Sequence, residues 1–136
     1  MKLNAILETS LYCDDLDAAE KFYAKVLGLE QISSKKDRHV FFKCGQGMLL
    51  IFNPVHTGTV QTSVGGVLIP RHGSTGPGHL AFQVAADEID EWREHLTTHR
   101  VDIEADVTWS SGGRSLYFRD PAGNSIEIAT SELWPL

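Results

Sequence analysis

The chain has 136 residues, of which 42% are hydrophobic and 22% are charged, and its formal net charge is -6. This length predicts one compact protein that buries about two thirds of the surface exposed by the unfolded chain. The acidic balance argues against a nucleic-acid partner, which would need a basic face. No apolar run approaches the ~18 residues of a membrane span, and the N-terminus lacks a signal-peptide core, so we expect a cytoplasmic protein without a membrane partner.

The first half of the chain predicts one strand, one helix and three further strands. In ILETSLYC the polar residues Glu8, Ser10 and Tyr12 alternate with Leu7 and Leu11, which is typical of a half-buried strand. The next run, DDLDAAEKFYAKVLG, has acids at its start, an apolar stripe and a final glycine, which indicate an amphipathic helix. Three short runs rich in strand-forming residues follow, namely LEQISS, HVFFKC and GMLLIF.

The second half repeats this order of elements. It runs from GHLAFQVA through the helical DEIDEWREHLTTH to VDIEADVTW, RSLYFRD and NSIEIAT, with a DPAGN turn before the last strand. We therefore predict a first βαβββ module over 1–55, a linker loop with one short strand over 56–76, and a second βαβββ module over 77–131. Together they would form one compact domain of the α+β class.

The two cysteines, Cys13 and Cys44, belong to no CxxC pair and to no Cys/His cluster. Cys13 lies in an alternating run, where a small apolar residue packs well. Because no base is placed beside either residue, we expect buried, reduced thiols rather than nucleophiles.

Superposition of the two modules brings four positions into correspondence. Glu8 in the first strand of one module matches His79 in the first strand of the other, and Leu50 matches Glu127 in the last strands. Three of these four side chains, Glu8, His79 and Glu127, can ligate a metal.

Each of the three also has an ordinary interpretation when taken alone. Glu8 and Glu127 are typical of solvated strand residues, and His79 of a hydrogen-bonded strand histidine. However, the alternate residues of these strands are apolar and suited to packing under the helices. The faces that carry the three residues would then line the open side of curved sheets and converge in a cleft.

The runs ETSLYCDDLDAAEKFYAKVLGLE, GPGHLAFQV and GGRSLYFRDPAGNSIEIAT resemble the vicinal oxygen chelate superfamily. This superfamily includes glyoxalase I, fosfomycin-modifying thiol transferases, extradiol dioxygenases and bleomycin-binding proteins. The resemblance covers almost the whole chain. It implies two βαβββ modules whose mixed, curved sheets enclose a cleft, with ligand positions at Glu8, Leu50, His79 and Glu127.

The fourth position departs from glyoxalase I, where a carboxylate serves as ligand and as candidate base. Here it is Leu50, which argues against lactoylglutathione lyase chemistry. A set of three ligands is closer to the fosfomycin-modifying branch, although the first ligand there is usually histidine. The resemblance also implies glutathione or another thiol as a candidate cosubstrate.

A Glu-His-Glu set suits one divalent metal ion per site, with Zn²⁺ as the first choice and Mn²⁺, Ni²⁺ or Fe²⁺ as alternatives. Such a metal leaves positions open for a substrate oxygen and stabilises the negative charge that develops on it. Two side chains are candidates for proton transfer, and three for substrate binding. The candidates for proton transfer are Ser10 and Tyr117. The candidates for substrate binding are Tyr12, Arg114 and Ser115.

Three functions from different classes are therefore considered. The leading prediction is a metal-dependent lyase, isomerase or thiol transferase that acts on a small oxygen-bearing substrate. The second is a metal-free binding protein of the bleomycin-resistance kind. The third is a ring-cleaving dioxygenase, although Glu8 argues against it because such enzymes typically use two histidines and one glutamate. The resemblance further implies a two-fold homodimer whose site is shared between chains.

Overall fold

The computed structural model describes residues 1–74 and 76–135, which divide into two units, Met1–Gly76 and Pro77–Leu136. Each unit contains a four-stranded mixed sheet with a helix between its first and second strands. The predicted α+β class with two βαβββ modules is therefore confirmed. No helix of the described ranges is long and apolar enough to cross a membrane.

The sheet of the first unit has the strand order β1-β4-β3-β2, with β1 parallel to β4. Asp15 begins the helix by accepting a hydrogen bond from the Ala18 amide, and Gly28 follows its end with a φ of 71°. The elements are β1 (Glu8–Tyr12), α1 (Leu16–Lys21) continued by a π-helical turn (Phe22–Val26), β2 (Glu30–Lys35), β3 (His39–Cys44) and β4 (Gly47–Phe52).

The helix packs on one face of this sheet and leaves the other face to polar and aromatic residues. Tyr23 is fully buried, and its ring centroid lies 5.6 Å from that of Phe42. Leu11, Val40 and Ile51 are buried as well. Because strand side chains alternate, the residues between these apolar ones lie on the opposite face.

The structure corrects the prediction that residues 56–76 form a loop with one short strand. The segment begins inside a short helix, α2 (Pro54–Thr59), and continues as a hairpin of β5 (Thr62–Val64) and β6 (Val67–Ile69). Asn53 caps α2 through the Val55 amide. Gly65 and Gly66 have φ values of 56° and 82°, which a two-residue hairpin turn requires. The helix cap and the paired glycines were the sequence signals for these elements.

The second unit has the same arrangement, with the strand order β7-β10-β9-β8 and with β7 parallel to β10. The helix packs against β9 and β10. The predicted strand over 101–109 is shorter in the structure, where pairing begins at Ala105. The elements are β7 (His79–Val84), α3 (Ile89–Thr98), β8 (Ala105–Thr108), β9 (Arg114–Arg119), β10 (Ser125–Thr130) and a final 3-10 turn (Ser131–Leu133).

The two parallel strand pairs have the same register. Glu8 pairs with Met48 in the first sheet as His79 pairs with Ser125 in the second. Two residues further along, Ser10 pairs with Leu50 as Ala81 pairs with Glu127. The structure therefore places Glu8 and His79 at equivalent positions, and likewise Leu50 and Glu127, as the comparison of the two halves predicts.

His39, the first residue of β3, is a buried histidine that stays neutral at physiological pH. Its Nδ1 lies 2.6 Å from Arg38 Nη1 and its Nε2 lies 3.2 Å from Ser33 Oγ. Because a guanidinium can only donate, Nδ1 accepts and Nε2 carries the proton. Burial above all, together with the electrostatic effect of the neighbouring Arg38, Lys35 and His56 side chains, lowers the pKa of His39 from 6.5 to about 4.

We predict that His39 makes the stability of the protein fall between pH 6.5 and pH 4. In this range the unfolded chain takes up a proton that native His39 does not, so the unfolded state gains stability as the pH falls. Above pH 6.5 the residue is neutral in both states and contributes no pH dependence. Urea unfolding at pH 7.0 and pH 4.5 should show a loss that is about 1–2 kcal/mol larger in the wild type than in His39→Gln.

The control for this experiment is His99→Gln, which replaces an exposed histidine at the end of α3. This variant should keep the pH dependence of the wild type. Equal losses of stability in the wild type and in His39→Gln would contradict the assignment.

Candidate metal centre

The candidate metal centre starts from a histidine and a glutamate on neighbouring strands of the second sheet. His79 is the first residue of β7, and Glu127 is the third residue of β10. His79 pairs with Ser125, so its ring reaches the diagonal neighbour on the same face. His79 Nε2 lies 3.3 Å from Glu127 Oε2, and the side chains are 54% and 4% exposed. One ligand therefore meets solvent while the other is buried.

The imidazole of His79 is oriented by its second nitrogen. Nδ1 lies 3.0 Å from the Ser125 carbonyl oxygen, to which it donates a hydrogen bond. In the neutral ring the lone pair is then on Nε2, the atom beside Glu127. Metal-binding histidines commonly use a backbone carbonyl in this way to fix the tautomer and the orientation of the ring.

Glu127 is a buried carboxylate with one unsatisfied oxygen. The residue is 3% exposed, so its interpretation as a solvated strand residue does not apply. Its Oε1 is buried and has no hydrogen-bond partner in the described ranges. Leaving a buried acceptor unpaired costs about 1–3 kcal/mol, and more when the group is charged. A bound cation would satisfy this oxygen.

These observations test whether the pair fits a metal ion, and it does. Both atoms are preferred ligands of divalent zinc-like ions, with bonds of about 2.0–2.2 Å. Two such ligands on one ion lie roughly 3.0–3.4 Å apart in octahedral or tetrahedral coordination. The separation of 3.3 Å between His79 Nε2 and Glu127 Oε2 agrees with that range.

Tyr117 completes the surroundings of the pair. It lies opposite Glu127 in the antiparallel pairing of β9 and β10, and its ring stacks on His79 with 6.2 Å between centroids. Burial, and then the hydrogen bond to Glu127 and its negative charge, raise the pKa of Tyr117 above 10. The phenol therefore keeps its proton at neutral pH and donates a hydrogen bond to the carboxylate.

Ser115, a predicted substrate-binding residue, lies on the same face of β9 but is fully buried. Its Oγ accepts a hydrogen bond of 2.9 Å from Trp109 Nε1. The sequence analysis did not single out Trp109. Because Ser115 is buried and bonded to the indole, it orients Trp109 and does not face solvent itself.

Arg114, the other predicted substrate-binding residue of the second unit, lies on the opposite face of β9. It alternates with Tyr117 and shares the helix side with Leu116 and Phe118, both fully buried. Its Nη2 lies 3.0 Å from Asp90 Oδ1 in the first turn of α3. The guanidinium is therefore paired with α3, on the side of the sheet opposite His79 and Glu127.

The predicted residues of the first unit lie along β1. Glu8 and Ser10 are exposed, whereas Tyr12 is half-buried and its hydroxyl lies 2.8 Å from His72 Nδ1. Leu50 is 6% exposed and belongs to the apolar lining of the same face. His72 lies in the segment for which the sequence predicts no site residue, and no spacing pattern connects it to Tyr12, 60 positions away.

Within the part of the chain that the structure describes, no group of three or more His, Cys, Asp or Glu side chains is placed to hold a metal ion. His79 and Glu127 form a two-residue pair in the second unit, and Glu8 belongs to the first. The three-ligand set thus remains a prediction from the sequence.

Comparison with known families and structures agrees with the fold. Residues 4–128 match the model of the Glyoxalase/Bleomycin resistance protein/Dioxygenase superfamily, and the chain belongs to this superfamily. The resemblance noted in the sequence is therefore confirmed.

Among solved structures, the chain is similar to one described as a lactoylglutathione lyase from Agrobacterium tumefaciens. The two are 42% identical, the match covers 100% of both chains, and the TM-score is 0.92. A putative glyoxalase family protein from Bacillus anthracis is 21% identical over 96% of this chain and 97% of its own, with a TM-score of 0.71. An integron cassette protein from V. Cholerae is 23% identical over 96% and 98%, with a TM-score of 0.70. The last two show the likeness of the fold alone.

Proposed function

We propose that the chain is a divalent-metal-dependent enzyme of the glyoxalase type, with Glu8, His79 and Glu127 as its metal ligands. One observation carries the proposal: Glu127 is a buried carboxylate whose Oε1 has no hydrogen-bond partner in the described ranges and whose Oε2 lies 3.3 Å from His79 Nε2. Burying this oxygen without a partner costs free energy, and a bound cation would offset that cost. Zn²⁺ is the first choice, with Mn²⁺, Ni²⁺ and Fe²⁺ as alternatives.

The metal would supply a Lewis acid that stabilises negative charge on a substrate oxygen. The remaining chemistry belongs to the chain. Tyr117 holds the Glu127 carboxylate in place, and as a protonated phenol beside the metal pair it is the proposed proton donor to a reacting oxygen. Ser10, exposed on β1, is the proposed proton-transfer group of the first unit.

The proposed reaction is a lyase, isomerase or thiol-transfer step on a small oxygen-bearing substrate. The name of the Agrobacterium tumefaciens structure supports a lyase with glutathione as the thiol. The position equivalent to Glu127 in the first sheet is Leu50, which offers no carboxylate. Glu127 is therefore the carboxylate proposed to act as a base as well as a ligand. A cytoplasmic location, where glutathione keeps thiols reduced, is part of the proposal.

We further propose that the functional form is a two-fold homodimer. Glu8 of one chain would join His79 and Glu127 of the second chain, so each site would contain residues of both. The support for this is the exposed position of Glu8 and the open side of the His79 ring. A two-fold dimer forms two such sites with the same contacts.

We predict that the purified protein retains one divalent metal ion per chain after dialysis. Elemental analysis measures this directly.

His79→Ala should lose the ion and keep its circular dichroism spectrum, because a half-exposed ligand contributes little packing. A panel of 2-oxo, phosphonate and epoxide substrates, with and without glutathione, should then identify the reaction.

A protein that is isolated without metal and does not bind added Zn²⁺, Mn²⁺ or Ni²⁺ would exclude the enzyme proposal. If His79→Ala unfolds while the metal-stripped wild type stays folded, His79 serves the fold and not a metal.

The second candidate is a metal-free binding protein of the bleomycin-resistance kind. The observation that favours it is the contact between His79 and Glu127 itself, since a protonated imidazole can pair with the carboxylate without a metal. The metal analysis separates the two candidates.

A further inference from the structure

A cluster of aromatic rings lies on the open face of the first sheet, around Phe52. The Phe52 centroid is 4.6 Å from that of His72 and 5.1 Å from that of Phe41, both with edge-to-face geometry. Tyr12 and His39 lie 6.5 and 6.2 Å away. These distances are those of favourable aromatic pairs. The cluster therefore forms a packed apolar floor on the face that α1 does not cover.

One cation is held over this floor. The guanidinium carbon of Arg38 lies 5.6 Å from the Phe52 centroid, and Nη1 donates to His39 Nδ1. This geometry combines a cation-π contact with a hydrogen bond to a neutral acceptor. Arg93, Arg114 and Arg119 all pair with carboxylates. Arg38 has no carboxylate within salt-bridge distance in the described ranges, so its charge is oriented but not neutralised.

A shallow cavity of about 640 Å³, widely open to solvent, lies next to the ring cluster. His72 connects the two, because its ring packs on Phe52 and it also lines the cavity. Arg71 adds a second positive charge to the lining, and it likewise has no carboxylate partner in the described ranges. The volume is within the range of sites for small molecules, roughly 300–1,000 Å³.

We propose that Arg38, together with the exposed His72 ring and the Arg71 cavity, binds the carboxylate end of an aromatic or otherwise apolar organic acid. The planar guanidinium matches a carboxylate, and the His72 ring offers surface to the carbon skeleton beside it. Phe52 is 6% exposed and packs against both Arg38 and His72. The inference deepens the proposed function, on which it rests, by naming the substrate class: an oxygen-bearing compound whose distal end is an organic carboxylate.

The spacing along β1 adds a size requirement. Glu8 and Tyr12 lie on the same face, four residues apart, which corresponds to about 13 Å at ~3.3 Å per residue. A substrate that reaches from a metal bound at Glu8 to the rings around Tyr12 must span a comparable length, so two- and three-carbon oxo compounds are too short to reach both.

The test is binding of benzoate, measured by calorimetry and by the ¹H–¹⁵N signal of the Arg38 side chain. Benzamide, the uncharged isostere, is the paired probe. We expect wild type to bind benzoate at least about tenfold more tightly than benzamide, because a charged hydrogen-bonded pair is lost in the amide. Arg38→Gln should weaken benzoate binding by about 10- to 100-fold, and Lys36→Gln, which removes an exposed positive charge from the same turn, by less than about twofold.

Equal binding of benzoate and benzamide, equal weakening in Arg38→Gln and Lys36→Gln, or no binding of benzoate to the wild type would overturn the proposal. The measurements are repeated on protein stripped of metal and on His79→Ala. The carboxylate subsite belongs to the first unit, so its affinity for benzoate should not change in either. Benzoate binding in a protein that takes up no metal would therefore uphold the subsite while rejecting the metal-dependent enzyme.

Discussion

Replacing Glu127 with leucine is expected to abolish metal binding and, at the same time, to stabilise the metal-free protein by about 1–2 kcal/mol. Leucine is the residue that the first sheet carries at the equivalent register position, Leu50, where it is well buried. The substitution removes an unpartnered oxygen and a buried negative charge. Elemental analysis and urea unfolding of the metal-stripped proteins measure the two effects.

The control is Glu91→Leu, which removes the same charge from an exposed position on α3. It should keep its metal and should change the free energy of unfolding by less than about 0.5 kcal/mol. Metal retained by Glu127→Leu at wild-type affinity would show that Glu127 is not a ligand. A large loss of stability in the metal-free variant would show that the carboxylate serves the fold.

Combining two variants that each lack metal in one mixed dimer is expected to restore half of the metal sites. Glu8→Ala and Glu127→Ala are co-expressed with different affinity tags, and the mixed dimer is isolated. If sites form between chains, one site of this dimer carries both defects and the other carries none, so about half of the metal returns. Elemental analysis of the mixed dimer and of each homodimer gives the result.

The homodimers of each variant are the controls and should both lack metal. If sites form within one chain, each site of the mixed dimer has one defect and no metal returns. A monomer by light scattering at micromolar concentration would refute the shared site as well.

The architecture could be predicted from the sequence because the chain repeats one pattern twice. Apolar alternation, a capped amphipathic helix and three short strands recur in the same order, and two concordant copies reduce the ambiguity of each. The same repetition brought Glu8 and His79 into correspondence, and the identical strand registers bear out that correspondence. In the segment between the modules only one short strand is predicted, and the helix and the second strand were missed because they have no counterpart in the other half.

The candidate site could be predicted less completely. That Glu127 is buried with an unpartnered oxygen depends on packing around it, which no local pattern reports. Arg114 was assigned to substrate binding from its loop, yet strand alternation from Leu116 already places it on the helix side. The contact of Tyr12 with His72 joins residues 60 positions apart, so it arises only when the chain folds.

The shared register of the two parallel strand pairs has an evolutionary consequence. An assembly of two identical half-length chains would carry the same residue at both copies of each position. One copy of a position could then not be a glutamate while the other is a histidine, and one could not be a leucine while the other is a glutamate. When the two halves are joined in one gene, the two copies of each position can mutate independently. Glu8 can then differ from His79, and the position equivalent to the charged Glu127 can be the apolar Leu50. The asymmetry of the site is therefore a property that duplication followed by fusion makes available.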